Sequence, residues 1–300
     1  MSKKVRAVCF GEILWDVFPD LERIGGAPLN VASRISSMGV HTEMISKVGN
    51  DEKGAQLIEY LQSMGVETGN IKKDEQHPTG MVNVELSSGG SATYDIQYPA
   101  AWDKIELDPN MVKSVEDSDA FIFGSLVCRD EVSRKTLFGL IPKAKYRVLD
   151  FNLRPPHYSK ELLMELIQHA EFIKFNDDEL FEIAGIMGSR YNSLEQNLLF
   201  IAVKSNAKSI CVTKGRHGAV LLHDKKLYYN SGYKVKVKDT VGAGDSFLGT
   251  LIAKLLLGKS PQKAMDTACA VGALVAGQEG ATPELAQQTI ENFLDPVGEK

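Results

Sequence analysis

Asp239-Thr240-Val241-Gly242-Ala243-Gly244-Asp245 runs directly into an apolar segment, Ser246 to Leu257. Glycines let backbone N–H groups converge on a negative ligand, and a helix start leaves further N–H groups without intrahelical partners. Phe247, Leu248, Leu251, Ile252 and Leu255 repeat at helical spacing, Gly258 suits the helix end, and Pro261 forbids continuation. Two readings of Asp245 stay open. It is an ordinary N-cap behind a tight turn, or a general base at the mouth of a phosphate site.

Other chemistry-bearing residues follow apolar runs, where open α/β sheets bind ligands. Gly11-Glu-Ile-Leu-Trp-Asp16 follows Val5 to Phe10, and Asp16 either accepts substrate hydroxyls or is a solvent-facing turn residue. Gly25-Gly26-Ala27-Pro28-Leu29-Asn30 opens a helix with small residues at Gly26 and a donor–acceptor amide at Asn30. Asp150-Phe-Asn152-Leu-Arg154-Pro-Pro156 offers a carboxylate, an amide and a guanidinium at alternate positions, or else a salt-bridged turn. In Asn176-Asp-Asp-Glu179 the acidic residues complement a helix dipole. Asn176 and Glu179, three apart, can also hold water on a magnesium ion beside nucleotide phosphates. Thr213-Lys-Gly215-Arg-His-Gly218 suits a polyphosphate tail or a bare turn. No GxxxxGK[ST] and no GxGxxG is present, so neither a P-loop nor a dinucleotide fold is supported.

The elements that must position these groups alternate between short apolar strands and amphipathic helices. Val5–Phe10, His41–Val48, Ala120–Phe123, Arg147–Asp150, Phe172–Phe175 and Ser209–Thr213 read as strands, with Ala219–Leu222 and Lys226–Tyr229 as a hairpin. Helical sequence lies within Gly26–Met38, Ala55–Met64, Glu131–Ile141 and Glu179–Ala184. Such alternation predicts an α/β fold whose mostly parallel central sheet is flanked by helices on both faces. Residues 80–98 break the rhythm with two alternating strands around a Ser87-Ser-Gly-Gly-Ser91 turn, a β excursion suited to a lid or a dimer surface. Lys234-Val-Lys-Val-Lys238 reads as a strand with a charged outer side.

Composition bounds the class. A chain of 300 residues, 43 % hydrophobic and 24 % charged, fits one large domain, 1–300, with the excursion as an appendage. A net charge of −5 argues against nucleic-acid binding. No run reaches the ~18 apolar residues of a membrane helix, and Gly11, Glu12 and Asp16 interrupt any signal-peptide core. Cys9, Cys128, Cys211 and Cys269 form no CxxC pair and read as buried free thiols of a cytoplasmic protein.

Gly25-Gly-Ala-Pro-Leu-Asn30 and Asp239-Thr-Val-Gly-Ala-Gly-Asp245, in this order, resemble the two signatures of the ribokinase-like (PfkB) family of carbohydrate kinases, over essentially the whole chain. Gly11–Asp16, Pro99–Asp103 and Asp150–Pro156 look most like bacterial fructokinases. The resemblance implies a three-layer ribokinase-like fold with a small β lid at 80–98, joined by 12–24. It implies an ATP-dependent kinase that phosphorylates a sugar hydroxyl, with fructose the leading acceptor and 2-keto-3-deoxygluconate, ribose or a nucleoside as alternatives. A silent sugar-binding regulator on the same fold is a further alternative. By resemblance, Asp245 is the base and Gly242, Ala243, Gly244 and Asp245 form the anion hole. Asp16, Gly26, Asn30 and Arg154 surround the sugar. Asn176 and Glu179 serve Mg²⁺ and phosphate, and Thr213, Gly215 and Gly218 the nucleotide loop. Cys269, in the small-residue run to Gly277, marks the adenine side, although close helix packing explains such residues equally. Asp239 matches the place of a K⁺ site; apart from the resemblance, the excursion read from its own residues also suits a homodimer surface.

Overall fold

The computed structural model describes residues 4–86 and 92–295. In chain order, β1 (Arg6–Phe10), β2 (Leu14–Val17) and β3 (Glu22–Gly25) precede α1 (Ala27–Ser37), followed by β4 (His41–Gly49), α2 (Glu52–Ser63) and β5 (Val66–Asp74). β6 (Gly80–Leu86) and β7 (Ala92–Ile96) lead to α3 (Pro109–Asp117), β8 (Ala120–Gly124), α4 (Glu131–Leu140) and β9 (Arg147–Asp150). Next come α5 (Lys160–His169), β10 (Phe172–Asn176), α6 (Asp177–Ile186), α7 (Leu194–Lys204) and β11 (Ser209–Thr213). The hairpin β12 (Ala219–His223) and β13 (Lys226–Asn230) then gives way to α8 (Ala243–Leu256), α9 (Pro261–Ala276) and α10 (Gln287–Leu294).

Nine strands form one sheet in the order β13-β12-β11-β10-β9-β8-β1-β4-β5. It is parallel from β5 to β11, and β12 and β13 add antiparallel at one edge. Strands such as Ala120-Phe-Ile-Phe-Gly124 are buried at every position, as a sheet covered on both faces requires. One face packs Leu29, Ile35, Leu248, Ile252 and Val271 from α1, α8 and α9. The other packs Val115, Leu137, Leu163, Leu180 and Leu198 from α3 to α7. Truncating one such residue, as in Leu248→Ala, costs roughly 3 kcal/mol. Helix starts are fixed locally: Asp51 accepts the Gly54 N–H at 2.8 Å, and Asp130 accepts that of Val132 at 2.9 Å.

A second, four-stranded sheet, β3-β2-β6-β7, is built from both excursions. β6 and β7 pair antiparallel, with Val82 opposite Ile96, and β2 lies parallel to β6 and antiparallel to β3. Leu14, Val82, Val84, Ile96 and Trp102 make its separate apolar cluster. The expected turn at 87–91 lies outside the described residues.

Two expectations need correction. Residues 234–238 form no strand; the chain there is irregular, and the Lys238 N–H donates to the Ala276 carbonyl at 2.9 Å instead of a ladder. The helix expected from Ser246 begins at Ala243, so the glycine segment is its first turn rather than a loop before it. The four cysteines are free and buried, as expected. Among the described residues no helix is long and apolar enough to cross a membrane.

Candidate active site

Strand order brings the C-terminal ends of β1, β9, β10 and β11 to one side of the sheet, facing the start of α8. A cavity of about 370 Å³ lies there. Leu14, Val82 and Ile96 line it from the four-stranded sheet and Phe18 from the β2–β3 turn, whereas Asp16, Arg154, Lys174, Asn176, Thr213 and Asp245 supply polar groups.

At the mouth of α8 the N-cap Gly242 takes the left-handed conformation, φ 74°. A Cβ there would lie 2.3 Å from the Ala281 carbonyl oxygen, so sterics and backbone both demand glycine. The regular helical ladder starts with the Ser246 N–H donating to Gly242 O at 2.8 Å. The N–H groups of Gly242, Gly244 and Asp245 therefore stand outside it at the positive end of the helix. Ala243 differs from expectation: its N–H turns back onto Thr240 O at 3.3 Å. Three unpaired amides, from Gly242, Gly244 and Asp245, thus stand at this mouth.

Asp245 does not act as an N-cap here. Its Oδ2 accepts a hydrogen bond from Asn30 Nδ2 at 2.8 Å. This contact needs α1 and α8 to approach closely, and Gly249 allows it, since a Cβ there would stand 2.9 Å from Arg34 Cβ. Burial raises the Asp245 pKa above the usual carboxylate value, against the Asn30 hydrogen bond and the charges of Lys174 and Arg154. Asn30 Oδ1 is buried without a partner, so the same amide that holds Asp245 still offers an acceptor.

Lys174 on β10 escaped the sequence reading, because one lysine in an apolar strand carries no motif. Its ammonium is buried and donates to Asp150 Oδ1 at 2.9 Å. Burial works against that charge, but Asp150, Glu179 and Asp245 outweigh it and hold its pKa above the ordinary value. A Cβ on Gly244 would lie 3.6 Å from Nζ, which puts the cation close to the first turn of α8. Glu12 was missed too. It lines the cavity, is 3 % exposed, and its Oε2 has no partner. Burial pushes its pKa up to about 7, with Asp245 adding and Arg154 opposing. Burial likewise lifts Asp16 and Asp150 to about 6 each, against Arg154 and Lys174 respectively. Glu12 Oε2, Asn30 Oδ1 and Asp150 Oδ2 are three of the five buried side-chain atoms without partners among the described residues. Glu12 and Asn30 line the cavity, and their orphaned oxygens are what a polyhydroxylated ligand would satisfy.

The remaining expected residues divide. Asp16, Gly26, Asn30, Arg154, Asn176, Thr213, Gly242, Gly244 and Asp245 line the cavity. Asp150, Asn152 and Arg154 do not share one strand face: β9 ends at Asp150, and Asn152 turns the chain with φ 40°. Asn176 and Glu179 form a reciprocal capping box, with Glu179 Oε2 accepting the Asn176 N–H and Oε1 the Leu153 N–H, each at 2.8 Å. Glu179 therefore clamps the 151–154 turn to α6. Among the described residues no group of three or more His, Cys, Asp or Glu is placed to hold a metal. Gly215 and Gly218 shape a turn outside the cavity lining, and Cys269 is core on α9, its thiol pushed up to about 12 by burial. Asp239 also lies outside the lining. It is paired with Arg23 of β3.

A parallel α/β sheet, a glycine-capped helix mouth and a carboxylate facing it define a phosphotransferase of carbohydrate-kinase type. Residues 10–288 match the pfkB family of carbohydrate kinases, and the chain belongs to that family. It is 32 % identical to the uncharacterized sugar kinase PH1459 of Pyrococcus horikoshii, over 77 % of this chain and 73 % of that protein. Fructokinase-2 of Solanum habrochaites is 27 % identical, with 93 % and 92 % covered. A fructokinase double mutant from Vibrio cholerae, solved with fructose, ADP and potassium ion, superposes with a TM-score of 0.85 at 26 % identity, covering 98 % of this chain and all of that one.

Proposed function

We propose that this carbohydrate kinase transfers the γ-phosphate of ATP to a hydroxyl of fructose. The observation that carries the transfer chemistry is Asp245, held by Asn30 at 2.8 Å beside the N–H groups of α8. Asp245 accepts the proton of the attacking sugar hydroxyl, and its raised pKa brings it nearer the operating pH of a general base. The amides of Gly242, Gly244 and Asp245 receive the phosphoryl oxygens, an interaction worth ~3 kcal/mol per donor where such holes have been dissected. Lys174 adds a buried positive charge on the same side. Because phosphoryl transfer has a loose transition state, positioning and charge carry most of the catalysis. Asp16, Asn30 Oδ1, Asn152 and Arg154 hold the sugar hydroxyls, with the four-stranded sheet as the lid that excludes water.

Asn176 and Thr213 line the nucleotide end of the cavity. Magnesium would be held near Asn176 and Glu179 as an ion that keeps most of its waters. When bound it neutralises phosphate charge. Fructose as acceptor is supported by relatives named fructokinase along nearly the whole chain.

The test is ADP release with Mg²⁺–ATP across fructose, ribose, 2-keto-3-deoxygluconate, glucose and adenosine. Fructose-dependent turnover well above the others is expected. Preference for another acceptor would overturn the sugar assignment and keep the transfer machinery.

A further inference from the structure

Arg23 lies on β3, directly opposite Asp16 in the β2–β3 register. Its guanidinium donates to Asp239 Oδ2, 216 residues away, and stands 5.8 Å over the ring of Phe18. Asp239 is the residue at which resemblance to the family places a monovalent cation. Its carboxylate is already engaged on both oxygens. Oδ1 accepts the Val241 N–H at 3.0 Å, while Oδ2 accepts the Gly280 N–H at 3.4 Å as well as Arg23. The pair is partly sheltered, with the Asp239 side chain 17 % exposed.

These contacts tie three pieces of chain together. Gly242 packs on Ala281, and the N–H groups of Lys238 and Asp239 donate to Ala276 O. Arg34 donates to Pro283 O at 2.9 Å, holding the second loop from α1. A potassium ion on the Asp239 carboxylate would have to displace the guanidinium or sit beside a like charge. Arg is permanently charged and presents a preorganised planar donor, so displacement by a hydrated monovalent ion is unfavourable. The side chains present do not fit potassium at Asp239.

We propose that Arg23 takes the place of a monovalent cation: its guanidinium supplies the fixed positive charge at Asp239, orders the 239–242 loop that opens the anion hole, and makes this chain indifferent to potassium. This rests on the kinase reading above. Arg23 is a positioning residue that acts through Asp239, and it couples the four-stranded sheet to the phosphate site.

The experiment compares the full chain in potassium chloride and in choline chloride at equal ionic strength, by melting temperature and by sugar-dependent turnover. The wild type should melt and turn over alike in both salts. Arg23→Ala should lose about tenfold in turnover in choline, the scale of one charge-assisted hydrogen bond, and regain activity with potassium or with free guanidinium. Its melting temperature should then rise specifically with potassium. Arg23→Lys keeps a charge and should stay insensitive, a distinction that a merely structural role would not produce. A potassium-specific rise in wild-type melting temperature, or severalfold activation of the wild type, overturns the proposal. So does an Arg23→Ala protein with full turnover in choline and no potassium response. A wild type silent toward every sugar would sink the kinase reading alone, since the melting comparison still decides whether potassium binds.

Discussion

Asn30 Nδ2 and Asp245 Oδ2 meet at 2.8 Å across 215 residues, so the carboxylate proposed as the base is oriented by the first helix rather than by its own. The bond favours the ionised carboxylate and opposes the burial that raises its pKa. Removing it in Asn30→Ala raises that pKa further. Because the base works ionised, the acid limb of the kcat profile should move to higher pH, with the loss larger below neutrality than above it. At neutral pH we expect a fall of about tenfold or more. An unchanged pH profile would show that the contact does not tune the base.

Asp245→Asn keeps the shape of the site and removes the proton acceptor. Turnover should fall by about 10³-fold, within the usual range for a general base. ATP affinity, measured by calorimetry without sugar, should change little. Near-normal turnover would remove Asp245 from its assigned role.

Lys174 is a buried ion-pair partner and a proposed catalytic charge, and two variants separate these functions. Lys174→Met leaves Asp150 buried and unpaired, which should destabilise the fold by about 3–5 kcal/mol in urea unfolding. Adding Asp150→Asn removes the orphaned charge and should restore most of that stability. Turnover should stay low in the double variant. Recovery of both together would make Lys174 purely structural.

Glu12 gives a pH-dependent stability effect with a fixed sign. Its folded pKa of about 7 lies above the ordinary 4.5, so the folded state holds the proton longer than the unfolded chain. Its contribution is full below 4.5 and is lost as pH rises to about 7. Glu12→Gln escapes this loss and should be the more stable protein above pH 7, by on the order of 3 kcal/mol. The gap should close on acidification. Denaturant titrations at several pH values measure it, and a gap independent of pH would contradict the account.

Gly25 makes room for Asp16, the carboxylate proposed to face the sugar. A Cβ there would fall 2.2 Å from Asp16 Oδ2, so Gly25→Ala must push Asp16 aside. The expected result is a raised KM for the sugar with the KM for ATP nearly unchanged. Equal effects on both would mean that Asp16 does not face the sugar.

The sequence by itself determined what depends on local backbone rules. Gly242 and the apolar repeat after it specify a helix whose mouth leaves N–H groups unpaired, and buried apolar runs specify the parallel strands. β5 was not legible, because Val66–Asp74 is mostly polar and pairs on one side only, as an edge strand. Asn176 and Glu179 were visible as a pair, but the same spacing serves a capping box and a ligand shell. Tertiary structure alone decided which distant groups meet. Lys174 gains its meaning from Asp150 on the neighbouring strand, Asn30 from the close crossing of α1 and α8, and Arg23 from a sheet assembled out of two separate excursions. Local patterns constrain φ, ψ and burial, whereas strand order and helix approach fix distances between residues that no short-range rule connects.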